Sequence, residues 1–239
     1  MHQATKAIIL AAGIGKRMQP LTFETPKPLV RVNGIRMIDT VIQGLHLNHI
    51  TEIYVVVGYR KEKFRFLETE YPGLKLIENP YYDSCNNISS LYVARKYISN
   101  AIILDGDQMI YNPKVLSPNF IRSGYNAVWT NELTDEWLLA VSSGLVTGCS
   151  RTGGTHGWQL YSISRWSSED GKRLQRHLEI EFEEKKNHQI YWDDVALFCY
   201  PSEYQLGIME MEKSDVMEID SLEELITVDS SYQNNTHQT

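Results

Sequence analysis

The chain has 239 residues, of which 42% are hydrophobic and 22% charged, and this composition excludes intrinsic disorder for most of its length. The formal net charge of −7 argues against a general nucleic-acid binder, because such proteins usually carry a basic face. No apolar run approaches the roughly 20 residues of a membrane helix, and the three scattered cysteines fit neither a disulfide framework nor a zinc site. We therefore expect a cytoplasmic protein that partners neither a membrane nor a nucleic acid.

The first half of the chain alternates strand-like and helix-like segments. Apolar runs predict buried strands at residues 6–12, 52–59, 74–79 and 101–104. Helical spacing predicts helices at residues 37–50, 61–70 and 88–98, the last capped by Asn86, Asn87 or Ser89. This alternation predicts an α/β fold with a Rossmann-like, mostly parallel sheet flanked by helices. Ligands bind such sheets beyond the carboxyl ends of the strands.

The second half lacks this regular alternation. Strands are predicted at residues 125–130, 137–142 and 158–163, and they suggest a small antiparallel extension or β-ribbon. A polar helix is predicted at 168–184 with Ser167 or Ser168 as its N-cap, followed by a helix at 191–198, a strand at 205–211 and a last helix at 222–228. We expect residues 1–228 to form a single domain and residues 229–239 to form a flexible polar tail or linker.

A glycine loop follows the first predicted strand. Residues 10–17 read Leu-Ala-Ala-Gly-Ile-Gly-Lys-Arg, and the backbone N–H groups of such a loop can wrap phosphate oxygens. Arg17 adds a planar fork for phosphate, and Lys27 adds a point charge. The loop is neither a Walker A motif nor a complete dinucleotide fingerprint. A tight turn without a ligand remains the alternative for the glycines taken alone.

Two acidic motifs suggest a metal site. Asp105-Gly106-Asp107 ends an apolar strand, and Mg²⁺ usually takes one or two carboxylates together with substrate phosphates. The alternative for this motif is a surface turn, in which Asp-Gly is common. Near the C-terminus, Asp220 is a candidate second carboxylate. It is also a candidate N-cap for the last helix, with Glu223 as its capping-box partner.

These motifs together resemble a known family. Gly13, Gly15, Arg17, Pro20, Thr22, Pro26 and Lys27 resemble the signature of nucleotidyltransferases with a sugar-nucleotide pyrophosphorylase type of fold. The motifs at 86–92, 136–137, 191–194 and 218–221 narrow the resemblance to bacterial CTP:phosphocholine and 2-aminoethylphosphonate cytidylyltransferases. The resemblance runs from about Lys6 to about Val228.

The resemblance implies a role for each motif. Lys27, Arg17 and Asp107 would be catalytic, and Asp107 with Asp220 would hold Mg²⁺. The nucleotide, CTP, would be bound by Ala11, Ala12, Gly13, Gly15, Lys16, Arg17, Asn87, Ser89 and Asp105. A small acceptor carrying an ammonium group and a phosphate or phosphonate would be bound by Glu136, Trp137, Tyr191, Trp192, Asp193 and Asp194. Aromatic faces and carboxylates are the groups that hold an ammonium.

Several alternatives stay open at this point. Trp137 and Trp192 fit core packing as well as ligand binding, and Asn87 and Ser89 fit helix capping. The residues do not separate phosphocholine from 2-aminoethylphosphonate as the acceptor. A sugar-1-phosphate nucleotidyltransferase and a catalytically silent nucleotide-binding module are the rival functions. A homodimer, and a fusion in which this chain is the N-terminal domain, are both compatible with the sequence.

Overall fold

A nine-stranded sheet runs through the computed structural model, which describes the backbone of residues 1–237 and the side chains up to Gln233. Its strands, labelled β1 to β9 in chain order, are Lys6–Ala11, Glu52–Val57, Leu74–Glu78, Ala101–Asp105, Gly124–Thr130, Leu138–Ser142, Leu145–Ser150, Gly157–Trp166 and Gly207–Glu210. The order across the sheet is β7-β6-β8-β4-β1-β2-β3, and β5 pairs with both β8 and β9. The predicted α/β class and central sheet are confirmed.

The parallel half of the sheet consists of β4, β1, β2 and β3. The inner strands β4, β1 and β2 are buried along most of their length because helices cover both sides, whereas the edge strand β3 carries the exposed Lys75 and Glu78. On one face Ile9 and Val55 pack in a cluster with Ile38 of the first helix, whereas on the other face Ile8 and Val56 pack in a cluster with side chains of later helices. This double burial explains why the first-half strands read as unbroken apolar runs.

The antiparallel half is joined to the parallel half by β8. Ile163–Trp166 of β8 pair with β4, and the N-terminal part of β8 pairs with β6. The partner along the other edge of β8 is β5. The predicted antiparallel extension is therefore confirmed. Three short two-stranded ribbons lie outside the main sheet, and they pair His2–Gln3 with Asn119–Phe120, Arg31–Val32 with Ile35–Arg36, and Gln108–Ile110 with Val216–Glu218.

The α-helices, labelled α1 to α5, are Met37–Leu47, Leu67–Glu70, Ile88–Ala94, Ser168–Glu179 and Leu222–Val228. The helix predicted at 61–70 was wrong in type, since a 3₁₀ turn at Lys61–Phe64 precedes the four-residue α2. Phe64 and Leu67 are both fully buried, and the tighter 3₁₀ turn places residues three apart on one side. The last five residues of the polar helix predicted at 168–184 form a π turn, Ile180–Glu184. A further π turn, Val195–Cys199, covers the second half of the helix predicted at 191–198.

The sequence predicts the N-cap of α4 correctly and places the N-cap of α5 one residue too early. The side chain of Ser167 caps α4, as predicted. The N-cap of α5 is Ser221, and its capping box uses Glu224, so the prediction of Asp220 with Glu223 was one residue too early. Because Ser221 does the capping, the carboxylate of Asp220 is free for other contacts.

The C-terminal segment begins in contact with the rest of the chain. Asp229 accepts a hydrogen bond from the backbone N–H of Asn33 at 2.7 Å, and the Tyr232 hydroxyl donates to the carbonyl of Arg31 at 2.8 Å. A 3₁₀ stretch covers Ser230–His237, and residues 238–239 of the predicted tail lie outside the described residues. None of the described helices combines the length and the apolar character required to span a membrane.

Candidate functional site

A pocket of about 540 Å³ opens at the carboxyl ends of the parallel strands. This is the position in which open α/β sheets bind ligands. The pocket draws its lining from both halves of the chain. The lining residues are Leu10, Ala11, Ala12, Gly13, Gly15, Lys16, Arg17, Lys27, Pro28, Asn87, Ser90, Asp105, Asp107, Glu136, Trp137, Leu160, Ser162, Tyr191, Asp193, Glu218 and Asp220.

The glycine loop leaves β1 and forms one wall of the pocket. Gly15 has a φ of +67°, and a Cβ there would lie 3.0 Å from Cγ2 of Thr22 and 3.2 Å from Cβ of Lys27. Glycine is therefore required for both its left-handed backbone and its close neighbours. The Thr22 hydroxyl donates to the carbonyl of Gly15 at 2.8 Å and fixes the turn. A Cβ on Gly13 would meet nothing within 4 Å, so the loop leaves open space on the pocket side.

Lys27 is the buried cation of the pocket. Its side chain is 11% exposed, and Nζ lies 2.7 Å from Oδ2 of Asp107 and 2.6 Å from Oδ1 of Asp220. Burial alone would lower the pKa of Lys27, but the two carboxylates outweigh it and raise that pKa above its ordinary value. The ammonium is therefore charged at neutral pH. Arg17 lies 3.3 Å from Asp220 but is 72% exposed, which leaves its guanidinium accessible to a ligand.

The carboxyl groups of the pocket divide into two groups by the direction in which their pKa is shifted. Burial would raise the pKa of Asp220, but Lys27 and Arg17 lower it. Burial and the neighbouring Asp107 raise the pKa of Asp105 to about 7, and burial raises the pKa of Glu218 to about 8. The described pocket thus holds more acidic side chains than its own cations neutralise, and it favours a cationic partner.

The sequence interpretation missed Glu218 as a pocket residue. Glu218 accepts a hydrogen bond from Nε2 of Gln108 at 2.8 Å and lines the pocket together with Asp220. The two acidic residues are two positions apart at the end of a short strand, so alternation places them on one side. That spacing within the motif Glu-Ile-Asp-Ser was the available signal. Ser162 and Leu160 of β8 were missed in the same way, and they too are two positions apart.

Asn87, at the N-cap of α3, and Ser90, in the first turn of that helix, line the pocket, whereas Ser89 is placed elsewhere. Ser89 is 1% exposed, accepts from Nδ2 of Asn79 at 3.0 Å and donates to the carbonyl of Asn86 at 2.8 Å. The structure therefore contradicts a direct nucleotide contact for Ser89, since its hydroxyl is used inside the fold. Asn87 and Ser90 share a helix face at i and i+3, which is the signal that selects Ser90.

The predicted acceptor residues separate into two sets. Glu136, Trp137, Tyr191 and Asp193 line the pocket. Trp192 does not, because its ring is 2% exposed and packs 6.1 Å from Tyr125 in the core. The structure therefore contradicts an acceptor contact for Trp192.

Asp194 is also directed away from the pocket. Its side chain is 2% exposed and lies 2.6 Å from Nη2 of Arg151. Its other carboxylate oxygen, Oδ2, accepts a hydrogen bond from the backbone N–H of Tyr191 at 2.9 Å. A direct acceptor contact was wrong for Asp194, because both of its oxygens have partners within the chain.

The pocket side of this segment combines an aromatic pair with a buried carboxylate. The rings of Trp137 and Tyr191 meet edge to face with centroids 5.5 Å apart. The Oδ1 atom of Asp193 is buried without a hydrogen-bond partner among the described residues. Burial, followed by the charge of Asp105, raises the pKa of Asp193 well above its ordinary value. A cationic group with N–H donors would satisfy this oxygen.

No group of three or more His, Cys, Asp or Glu side chains in the described part of the chain is arranged to hold a metal ion. Asp107 and Asp220 nevertheless direct one oxygen each at a single cation, Nζ of Lys27. Two hard carboxylate ligands suit Mg²⁺, which takes its remaining ligands from water and substrate phosphates. The residues present therefore fit a magnesium ion that shares its coordination with a bound triphosphate.

Comparisons with known proteins find a family and several similar chains. A family model described as the MobA-like NTP transferase domain matches residues 7–154. The chain is 38% identical over 233 residues to a 2-aminoethylphosphonate cytidylyltransferase of Lancefieldella rimae, a match that covers 96% of this chain and 94% of the relative. It is 30% identical to a choline-phosphate cytidylyltransferase of Streptococcus pneumoniae, over 92% of this chain and 94% of that relative.

Solved structures show the same fold. The structure of CTP:phosphocholine cytidylyltransferase from Streptococcus pneumoniae superimposes with a TM-score of 0.88 at 30% identity, covering 95% of this chain and 98% of that one. A glucose-1-phosphate thymidylyltransferase structure from Bacillus anthracis gives a TM-score of 0.75 at 16% identity, with 97% and 96% covered, and shows likeness of fold alone. Both neighbours are nucleotidyltransferases.

Proposed function

The chain belongs to the MobA-like NTP transferase family, together with the two cytidylyltransferases it matches over nearly its whole length, and from this premise we propose that it transfers CMP from CTP to a small amine-bearing phosphonate or phosphate. The observation that supports the proposal is the composition of one pocket. It combines the glycine loop and Lys27, which suit a triphosphate, with Trp137, Tyr191 and Asp193, which suit an ammonium.

The chemistry needs no covalent intermediate with the protein. An oxygen of the acceptor attacks the α-phosphorus of CTP, and a new P–O bond forms as the bond to the β-phosphate breaks. Pyrophosphate leaves with the electron pair of that bond. The protein positions the two anionic reactants and reduces their repulsion.

The chain's own cations perform this neutralisation. Lys27, buried and charged, places its ammonium where the α-phosphate and the acceptor oxyanion meet. Arg17, whose guanidinium is largely exposed, holds the β- and γ-phosphates as they become the leaving group. The backbone N–H groups of the glycine loop bind phosphate oxygens and cost little reorganisation during the reaction.

Mg²⁺ belongs to this proposal, with Asp107 and Asp220 as the residues that hold it. When bound, the ion supplies positive charge to the triphosphate. The two aspartates already share one cation in Lys27, so they are spaced to share another. Asp105 and Glu218 lie in the same pocket, and a bound cation would stabilise their charged forms as well.

We favour a primary amine, and 2-aminoethylphosphonate in particular, as the acceptor. The Oδ1 atom of Asp193 has no hydrogen-bond partner among the described residues, and a primary ammonium offers three N–H donors to such an oxygen whereas a trimethylammonium offers none. A trimethylammonium is best held by several aromatic faces, yet Trp192 lies in the core. The relative at 38% identity carries the name of the same substrate.

Pyrophosphate release tests the proposal directly. The protein is incubated with CTP and Mg²⁺ and, in parallel, with 2-aminoethylphosphonate, phosphoethanolamine, phosphocholine or glucose-1-phosphate. We expect the highest kcat/KM with 2-aminoethylphosphonate. A higher value with phosphocholine would overturn the choice of acceptor, and a higher value with glucose-1-phosphate would overturn the amine-bearing class. Binding of CTP with no turnover on any acceptor would favour a silent nucleotide-binding module.

A further inference from the structure

Tyr191 and Asp193 line the pocket at the start of a short helical turn, in which Asp193 and Asp194 directly precede the π turn Val195–Cys199. Two side-chain acceptors hold the backbone there, one within this segment and one at the N-cap of α3. The N–H of Tyr191 donates to Oδ2 of Asp194 at 2.9 Å, and the N–H of Trp192 donates to Oδ1 of Asn87 at 2.9 Å. The direction of Tyr191 and Asp193 therefore depends on where Asp194 is held.

Arg151 is the residue that holds Asp194. It follows directly on β7, and its Nη2 atom lies 2.6 Å from Oδ1 of the buried Asp194 carboxylate. The same guanidinium carbon lies 4.0 Å from the ring centroid of Phe198 and 5.6 Å from that of Trp137. One side chain thus contacts the carboxylate behind the pocket wall and the aromatic ring within that wall.

Energetics favour a fixed position for this arginine. A carboxylate that is 2% exposed needs a charged partner, because an unpaired buried charge is strongly unfavourable. The planar guanidinium can pair with a carboxylate at its edge while its face packs on an aromatic ring. Arg151 itself does not line the pocket, so any effect on a ligand passes through Trp137 and Asp194.

We propose that Arg151 is a positioning residue for the acceptor, which fixes Trp137 and, through Asp194, the segment that carries Tyr191 and Asp193. This inference rests on the proposed function, since it assigns the acceptor to that wall. It predicts that replacing Arg151 weakens binding of the acceptor and leaves binding of CTP unchanged. None of the contacts of Arg151 involves the glycine loop or Lys27, so we expect recognition of CTP to be unaffected.

The test compares Arg151→Met with Arg151→Lys and the wild type, by measuring kcat and both KM values in the pyrophosphate assay. We expect Arg151→Met to raise KM for the amine-bearing acceptor about tenfold, because the wall loses its fixed geometry, with KM for CTP unchanged. Arg151→Lys keeps the ion pair but not the planar stacking, so its KM for the acceptor should lie between the values for the wild type and Arg151→Met. Arg176→Met, an exposed arginine paired with Glu203, is the matched control and should behave as wild type.

Each result has a defined meaning. An unchanged acceptor KM in Arg151→Met, or equal losses for CTP and acceptor, overturns the positioning role while the wild-type activity still supports the proposed function. A wild type that is inactive with every acceptor overturns the function, and the inference falls with it. Should Arg151→Met not fold, Arg151→Met combined with Asp194→Asn removes the unpaired charge. A wild-type acceptor KM in that double variant overturns the role.

Discussion

Lys27 is the residue at which distant parts of the chain meet. It comes from the loop after the first strand, Asp107 follows β4, and Asp220 precedes α5. Such a buried lysine has a strong electrostatic effect, because the surrounding dielectric is lower than that of water. Its charge is held by two partners and is therefore present over the whole neutral range of pH.

Replacing Lys27 should affect turnover more than folding. We expect Lys27→Ala to lower kcat by about 10²- to 10³-fold, as measured for other preorganised electrostatic groups, because the repulsion between acceptor and α-phosphate is no longer offset. The assay is pyrophosphate release, with circular dichroism to check the fold. Lys172→Ala, at an exposed position of α4, is the control. Near-normal turnover of Lys27→Ala would contradict the assignment.

Asp107 and Asp220 should control metal binding independently of turnover. We expect Asp107→Asn and Asp220→Asn each to weaken binding of Mn²⁺, a spectroscopic substitute for Mg²⁺, by about tenfold or more in the presence of CTP, since a neutral amide is a poorer ligand than a carboxylate. Electron paramagnetic resonance counts the free ion. Asp83→Asn, at an exposed position, should leave the titration unchanged. Equal titrations for all the variants would remove these aspartates from the metal site.

The sequence is sufficient to identify those site residues that belong to motifs with a characteristic spacing. Gly13, Gly15, Arg17 and Lys27 all line the pocket as expected. It fails where the choice depends on which side of the backbone faces inward. Trp192 and Tyr191 are neighbours of similar chemistry, but only the contacts of the folded chain place the first in the core and the second at the pocket.

At the scale of elements, α4 packs closely against the chain segment that leads into β4. A Cβ added at Gly171 would lie 2.7 Å from Cα of Ser99 and 2.9 Å from its backbone nitrogen. Backbone atoms cannot move aside as a flexible side chain can. The glycine is therefore present for close packing and not for an unusual backbone angle.

Gly171→Ala should destabilise the protein although alanine favours helices. Overpacking costs about 1–3 kcal/mol, whereas the gain in helix propensity is about 1 kcal/mol. We expect a net loss in the free energy of unfolding, measured by urea denaturation. Lys172→Ala, the exposed neighbour on the same helix, should change stability by less than about 0.5 kcal/mol. Greater stability of Gly171→Ala would show that the contact with Ser99 yields easily.

His177 makes the packing of α4 sensitive to pH. Its ring is 1% exposed, stacks on Tyr200 with centroids 3.8 Å apart, and its Nδ1 lies 2.8 Å from the Tyr204 hydroxyl. Burial lowers its pKa below the ordinary value of 6.5, against the opposing charge of Glu203. The unfolded chain therefore binds a proton more readily than the folded chain, so the stability from neutral His177 is present above 6.5 and is lost as the pH falls.

The measurement is urea denaturation at about pH 7.5 and about pH 5.5, which bracket the titration of an unfolded histidine. We expect the wild type to lose stability at the lower pH, and His177→Gln to lose less, because it has no group to protonate there. His156→Gln, at an exposed position, should follow the wild type. Equal losses in His177→Gln and wild type would place the pH dependence elsewhere.

The type of each element was predictable where packing and local preference agree. The strands β1, β2 and β4 are apolar apart from one charged residue at an end of each, and the sequence alone locates them to within two residues. The region 61–70 and the two π turns were not predictable, because side-chain burial and backbone tightening decide them. Local periodicity cannot distinguish 3.0, 3.6 and more residues per turn over so short a length.

The whole chain is expected to unfold as one unit. Residues from the first strand, the middle and the segment before the last helix share the pocket, so neither half completes the site alone. The single domain at residues 1–228 remains a prediction from the sequence, and cooperative unfolding tests it.

Two optical probes test this cooperativity. All five tryptophans lie at position 129 or later, so tryptophan fluorescence reports the second half, whereas far-UV circular dichroism reports both halves. We expect the two urea transitions to coincide, as two-state unfolding requires. A circular-dichroism transition with an additional step, absent from fluorescence, would show that the first half unfolds separately.

The continuity of β8 limits how the molecule can move. This ten-residue strand pairs with β4 at one end and with β6 at the other, and Leu160 and Ser162 line the pocket from its middle. It joins the parallel and antiparallel halves through one chain segment, and its pairing with β5 shifts register between Leu160 and Ser164, next to the pocket. Because the same strand joins both halves and lines the pocket, we expect closure around reactants to be left to loops such as the one from Gly13 to Lys27.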